Sequence, residues 1–136
     1  MVSFIEEDKA SPVLDHKRIV DWLANVVSSE NKDLGEISII TGSDEWLLGF
    51  NIKYLNHDYF TDIISFDYCE DKIVSGDLLI SVDRVIENAQ LNNVSRETEF
   101  LRVCVHGVLH LCGYGDKSSE EVVVMRKKED YYLCSY

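Results

Sequence analysis

Apolar residues recur along this 136-residue chain with two spacings, one typical of helices and one typical of strands. Between Leu14 and Ser29 they lie three and four residues apart, which predicts a helix with Asp15 as its N-cap. Polar and apolar residues alternate in Glu36–Ile40, which predicts a strand. The same reasoning predicts further strands at about 2–5, 61–68 and 73–82, and further helices at about 44–54, 82–90, 96–112 and 118–133.

The order of these elements, βαβαββααα, predicts an α+β fold. No repeat, low-complexity tract or long linker divides the chain. We therefore expect a single domain over residues 1–136, with a mixed sheet of about four strands and about five helices packed against it. Gly76 interrupts the fourth predicted strand, which suggests a bulge or a close backbone approach.

Composition sets limits on the function. Four cysteines form no C-x-x-C pair, and the first residues show no basic region followed by an apolar core, so we expect a cytoplasmic protein with no membrane partner. The formal net charge is −12, and no dense Lys/Arg cluster stands out. An acidic protein is repelled by nucleic acid at long range, so any RNA activity must depend on a local site, a metal or a partner.

One predicted helix carries two histidines within an apolar run. His106 and His110 are four residues apart, which stacks both imidazoles on one helix face. Gly113 offers a left-handed end to the helix, Gly115 lets the chain fold back, and Asp116 follows at the return. A histidine pair alone is more often core or surface, but the glycine and the carboxylate favour a metal site.

Two imidazoles and one carboxylate leave a coordination position open, as in catalytic zinc sites. Zinc lowers the pKa of a bound water from about 15.7 to roughly 7, which makes hydroxide available at neutral pH. We therefore expect one Zn²⁺ per chain on His106, His110 and Asp116, and we assign no catalytic group beyond the metal-bound water. Proteolysis is unfavoured, because zinc proteases of similar spacing place a glutamate after the first histidine, where this chain has Gly107.

Several stretches occur together in an informative order. They are Phe50-Asn51-Ile52-Lys53-Tyr54, TDIISF at 61–66, SGDLLIS at 75–81 followed by Asp83-Arg84-Val85, VHGVLHLCGYGD at 105–116, and then Met125 and Glu129. In these features, from about Gly49 to Glu129, the chain resembles the YbeY-type endoribonucleases, also described as rRNA maturation factors.

The resemblance implies a zinc-dependent enzyme that cuts single-stranded RNA, acting in maturation of the 16S rRNA 3′ end and in ribosome quality control. It also implies rRNA as substrate and a ribosomal subunit or ribosomal proteins as partners. His106 and His110 match the first two ligands of the family. The third ligand of most members is histidine, and here Asp116 takes its place. An anionic ligand lowers the net charge at the metal and could favour a harder ion.

Two other positions depart from the family pattern. After Tyr54 the family usually has an arginine, whereas this chain has Leu55, and the usual proline before the TD pair is Phe60. An arginine could hold the scissile phosphate, a role that leucine cannot fill. Other cations of the chain could substitute for it, namely Lys53, Arg84, Arg96 and Arg102.

Four further residues lie near the matching motifs. We expect Asp62 to fix a strand end, Asp77 to belong to a turn, and Glu99 to face solvent or to orient a ligand. Tyr114 could stack on a base but is more often packing. His16 and His57 have no ligand partner at a recognisable spacing.

Two other functions remain open. The protein could be a ribosome-assembly factor whose metal is structural, which the net charge and Leu55 favour. It could also be a metal-dependent hydrolase of another phosphate ester or amide.

Overall fold

A computed structural model describes all residues of the chain, 1–136. Four strands form one mixed sheet in the order β1-β2-β4-β3, in which β1 and β4 run parallel to β2 while β3 runs antiparallel to β4. The predicted α+β class, with four strands and five helices in the order βαβαββααα, is confirmed. The elements are β1 Val2–Glu6, α1 His16–Ser29, β2 Asp33–Gly42, α2 Asp44–Leu55, β3 Ile63–Asp67, β4 Ile73–Ser81, α3 Val82–Leu91, α4 Arg96–Leu111 and α5 Ser119–Leu133.

Helix α4 lies at the centre of the molecule and contacts α1, α3, α5, β3 and β4. Its side chains Phe100, Cys104, Val105, Val108 and Leu109 are fully buried. A helix that is apolar on most sides needs neighbours on most sides, so the sheet and three helices enclose it. This central position makes α4 a rigid support for any polar group that it carries.

Polar side chains cap the first turns of the helices, and Asp15 does so for α1 as predicted. The Asp15 carboxylate caps α1, and the hydroxyls of Ser43 and Ser95 cap α2 and α4, each accepting a backbone N–H bond. Ser118 caps α5 in a reciprocal capping box with Glu121. The end of the turn that follows α4 is therefore anchored by the start of α5.

The close approach expected at Gly76 is confirmed. A Cβ there would lie 2.5 Å from the carbonyl oxygen of Phe66 and 2.8 Å from Cδ2 of Leu111. The bulge suggested for this position is found elsewhere, because the pairing of β2 with β4 shifts register between Leu34 and Ile37 of β2. Only a residue without a side chain fits between β3 and the end of α4 at this position.

The prediction of a turn at Asp77 is wrong, because this residue lies within β4, where it pairs with Ser38 and Phe66. The second strand is also longer than predicted and begins at Asp33. No helix combines the length and the apolar character that a membrane crossing requires.

Candidate metal centre

His106 and His110 lie on one face of α4, as their spacing predicts. Their ring centroids are 4.5 Å apart and the rings are nearly perpendicular, at 85°. Both side chains are partly exposed, whereas most of the helix is buried. The two imidazoles therefore present nitrogen atoms to the same accessible space.

The turn after α4 returns the chain to this face. Gly113 has φ of +110°, and the backbone N–H of Tyr114 donates to the carbonyl of Leu109 at 3.0 Å, which closes the helix in the predicted manner. Asp116 follows, and its Oδ2 lies 3.4 Å from Nε2 of His106 and 3.2 Å from Nε2 of His110. The sequence-predicted ligands are thus brought together.

The donor set fits a single metal ion. The ligand atoms of His106, His110 and Asp116 all lie within 4.8 Å of one another. Two ligand atoms bound tetrahedrally to zinc at about 2.0–2.2 Å are separated by roughly 3.3–3.6 Å. The two nitrogen–oxygen distances are close to this range, so little movement is needed to close the shell around an ion.

The opposite nitrogen of each imidazole is already occupied. Nδ1 of His106 lies 2.6 Å from Oε2 of Glu129, and Nδ1 of His110 lies 2.8 Å from the carbonyl oxygen of Tyr114. A carboxylate and a carbonyl can only accept, so each Nδ1–H donates, and in the neutral ring Nε2 is the nitrogen left to bind a cation on the side of Asp116. This arrangement is typical of metal-binding histidines.

Glu129 is buried and is held from both sides. Its Oε1 accepts from Arg102 at 2.9 Å and lies 3.4 Å from Arg126. Burial raises the pKa of Glu129, but the hydrogen bonds from His106 and Arg102 outweigh burial, so the pKa lies below its usual value. Burial lowers the pKa of His106, but the hydrogen bond and charge of Glu129 outweigh that effect and raise it. Glu129 is thus an anion that holds the His106 ring.

A cavity of about 240 Å³ opens beside His106 and Asp116, between α4 and α5. Its other polar lining comes from both arginines that contact Glu129 and from several carboxylates. These residues are Asp62, Glu99, Arg102, Arg126 and Glu129. The mixture of cations and anions beside His106 and Asp116 makes this cavity a candidate for the place where a substrate would meet a bound metal.

The prediction for Glu99 needs correction, and the one for Asp62 was incomplete. Glu99 is only 7% exposed and forms no hydrogen bond to His106 or His110, so it neither faces solvent nor orients a ligand. Asp62 precedes β3, and its carbonyl accepts from the Ser81 N–H at 2.9 Å, which fixes the strand end as predicted. Its carboxylate, however, lines the cavity. Burial raises the pKa of both carboxyl groups.

Tyr114 is fixed by a contact that the sequence did not predict. Its hydroxyl donates to Oε1 of Glu30 at 2.6 Å, and Lys128 lies 3.0 Å from Oε2 of the same carboxylate. The Tyr132 hydroxyl also donates to Glu30. Because the Tyr114 carbonyl binds His110, this cluster ties the end of α1 and helix α5 to the turn that carries the third ligand.

The other polar residues considered from the sequence lie elsewhere. Arg84 is paired with Asp44 and Glu87, and Lys53 lies over the ring of Tyr54. Of the four cations that could replace the family arginine, only Arg102 lines the cavity. His16 stacks on Phe4 and His57 stacks on Tyr59, so neither joins the ligand group.

Sequence reasoning assigned no role to Glu129, although a signal was present. The buried residues of α5 are Met125, Glu129 and Tyr132, at positions i, i+4 and i+7. A glutamate on the buried stripe of a helix needs a partner, which distinguishes it from the exposed acids of the same helix. No comparable local pattern points to Glu30.

Comparisons with known proteins point to one family. The family model described as Endoribonuclease YbeY matches residues 4–136. The protein named Endoribonuclease YbeY from Flavobacterium johnsoniae is 50% identical, covering 100% of this chain and 97% of its own. The one of the same name from Bacteroides thetaiotaomicron is 43% identical, with 98% and 97% covered. The solution structure of TM1509 from Thermotoga maritima is similar, with a TM-score of 0.72 at 28% identity over 98% of this chain and 87% of that one.

Proposed function

The chain belongs to the Endoribonuclease YbeY family, and we propose that it cuts single-stranded RNA with one Zn²⁺ held by His106, His110 and Asp116. As a family member it is an endoribonuclease, a hydrolase that acts on RNA phosphodiester bonds. The observation that carries the metal assignment is the convergence of two Nε2 atoms and one carboxylate oxygen, with both Nδ1 atoms already bound elsewhere.

The chain's own residues prepare this site. The Nδ1 hydrogen bonds hold each imidazole in the tautomer that leaves Nε2 free, and the negative charge of Glu129 makes His106 a better donor to a cation. When bound, zinc would supply Lewis-acid chemistry, activating a water and polarising a phosphate oxygen. Asp116 lowers the net charge of the site relative to a third histidine, so Mn²⁺ is the second ion to test.

The biological setting is also a proposal, which the family resemblance supports. We place the activity in the cytoplasm, in maturation of the 16S rRNA 3′ end and in ribosome quality control, with a ribosomal subunit or ribosomal proteins as partners. The net charge of −12 supports the role of such partners, because a chain so acidic gains little from general attraction to RNA. Substrate must be delivered by a partner or gripped at the local site.

A second function is favoured by one observation. Leu55 replaces the family arginine, and its exposed side chain at the end of α2 supplies no cation. Without a substitute for that arginine, the protein would act as a ribosome-assembly factor whose metal only stabilises the fold.

Asp116→Ala separates the two functions, and Asp58→Ala is the matched control, since Asp58 is exposed and belongs neither to the ligand group nor to the cavity lining. The enzyme proposal predicts that the zinc-loaded wild type and the control cut a labelled single-stranded RNA, whereas Asp116→Ala does not. A structural site predicts instead that no variant cuts, and that Asp116→Ala loses thermal stability together with its metal.

A further inference from the structure

The cavity beside the candidate metal centre must accept a phosphate if the proposed function is correct. Four carboxylates line it, those of Asp62, Glu99, Asp116 and Glu129. A phosphodiester entering this space meets like charges at close range, which costs free energy unless a cation is available to it. The question is which cation of this chain fills that role.

Arg102 lines the cavity but is already committed. Its guanidinium donates to Glu129 at 2.9 Å and to Asp130 at 2.8 Å, and its side chain is only 21% exposed. Releasing it for a ligand would leave the buried Glu129 carboxylate with a poorer partner, which is unfavourable. Arg102 therefore acts as a support for Glu129.

Arg126 lines the same cavity and is less constrained by ion pairs than Arg102. Its side chain is 60% exposed, and its one ion pair is a 3.4 Å approach to Oε1 of Glu129. Glu129 already has closer partners in Arg102 and His106. An exposed guanidinium with one long contact can turn towards an incoming anion at little cost, and its planar fork matches the oxygens of a phosphate.

We propose that Arg126 binds a backbone phosphate of the RNA substrate in this cavity, next to His106 and Asp116. The proposal rests on the proposed function and names the chain's substitute for the cation missing at Leu55. Arg126 lies one helical turn before Glu129 on α5, so the helix that supports the metal ligand also presents the phosphate-binding group. Arg84 pairs with Asp44 of α2 and with Glu87, and it does not line the cavity.

The alternative is that Arg126 acts only through Glu129, and metal affinity distinguishes the two roles. A residue that supports Glu129 alters zinc binding when it is removed. A phosphate-binding residue alters RNA binding and leaves zinc binding unchanged.

The test uses zinc-loaded wild type, Arg126→Ala and Arg126→Lys, with Lys127→Ala as the matched control. Lys127 is the next residue of α5, is exposed and carries the same charge, but does not line the cavity. Binding of a labelled 2′-O-methyl oligoribonucleotide is followed by anisotropy across a salt series, zinc affinity by competition with a chelator, and KM and kcat by cleavage of the unmodified RNA.

We expect Arg126→Ala to weaken RNA binding by about 5- to 20-fold and to reduce the steepness of log K against log salt by about 0.7, as for one lost phosphate contact on a single strand. Zinc affinity should change by less than about twofold, KM should rise, and Arg126→Lys should recover part of the binding. Lys127→Ala should weaken binding by less than about twofold.

Three results would overturn the proposal. In the first, Arg126→Ala and Lys127→Ala behave alike while the wild type binds and cuts RNA, which leaves the proposed function intact. In the second, zinc affinity falls along with RNA binding, which makes Arg126 a support for Glu129. In the third, the wild type neither binds nor cuts RNA, and the proposed function fails with it.

Discussion

Nδ1 of His106 lies 2.6 Å from Oε2 of Glu129, although the two residues are 23 positions apart and on different helices. This pair determines which nitrogen of His106 remains for a cation. Arg102 donates to the other carboxylate oxygen of Glu129 at 2.9 Å and so holds this carboxylate in place. The orientation of His106, the first of the proposed metal ligands, is therefore set by α5 as much as by α4, which carries it.

Glu129→Gln should weaken zinc binding by about 10- to 100-fold, because it removes a negative charge. That charge orients the His106 ring and increases the basicity of the imidazole. Competition with a chromophoric chelator measures this affinity. Glu120→Gln is the control, since Glu120 is an exposed acid of the same helix. Equal zinc affinities for the two variants would contradict the role assigned to Glu129.

Tyr114→Phe should weaken zinc binding several-fold and lower the free energy of unfolding by about 1–2 kcal/mol. It removes the hydroxyl bond to Glu30 that anchors the turn beyond His110. Urea unfolding and chelator competition provide the two measurements. Tyr131→Phe, which alters an exposed tyrosine of α5, should change neither quantity. A Tyr114→Phe protein with full stability and full zinc affinity would show that the turn is held without Glu30.

Asp62→Asn and Glu99→Gln should stabilise the metal-free protein at pH 7. Burial raises the pKa of both carboxyls above their usual values of 3.8 and 4.5, so the folded chain prefers their protonated forms. The native carboxyls therefore favour folding at low pH, and this contribution is lost as the pH rises through the raised pKa values. Above the raised pKa values, both groups are charged carboxylates held in a buried environment, which destabilises the fold.

Urea unfolding at several pH values tests this linkage. The advantage of the two variants should disappear in acid, below the usual pKa values, where the native carboxyls are protonated as well. Asp58→Asn, at an exposed position, serves as the control and should show no such dependence. A gain that is the same at every pH, or a loss at pH 7, would contradict the burial argument.

Gly107→Ala should destabilise the fold by about 1–3 kcal/mol, whereas Gly49→Ala should stabilise it by about 0.5–1 kcal/mol. A Cβ at Gly107 would lie 2.7 Å from Cδ1 of Ile63 and 2.9 Å from Cδ2 of Leu78, while a Cβ at Gly49 meets nothing within 4 Å. Both glycines are helical, so the pair isolates packing from helix propensity. The urea midpoints of the two variants should shift in opposite directions from that of the wild type. A gain in stability for Gly107→Ala would contradict the close packing of α4 on the sheet.

The same close packing bears on the chemistry. Gly107 occupies the position where zinc proteases of similar spacing have a glutamate, and here that position faces Ile63 and Leu78 in the sheet. A longer side chain would have no room, which agrees with the expectation that this chain is not a protease of that type.

The local parts of the site could be predicted from the sequence because short spacings determine them. Four residues along a helix place His106 and His110 on one face, and Gly113 permits the left-handed turn that returns Asp116. The helix caps are local for the same reason. These features need no knowledge of the tertiary fold.

The supporting contacts could not be predicted in the same way, because they join distant parts of the chain. Tyr114 reaches Glu30 across 84 positions, and no spacing rule connects them. The expected turn at Asp77 failed for a related reason. A Gly-Asp pair is typical of turns, but Gly76 is needed where β4 passes close to Phe66 and Leu111.

The most direct test of the central claim is cleavage of a labelled single-stranded RNA by the zinc-loaded wild type beside His110→Ala. His110 offers one of the proposed ligand nitrogens and lies at a partly exposed position. We expect the wild type to cut and His110→Ala to leave the RNA intact. If the wild type binds zinc stoichiometrically and cuts nothing, or if both proteins cut equally well, the assignment of nuclease chemistry to this metal centre is wrong.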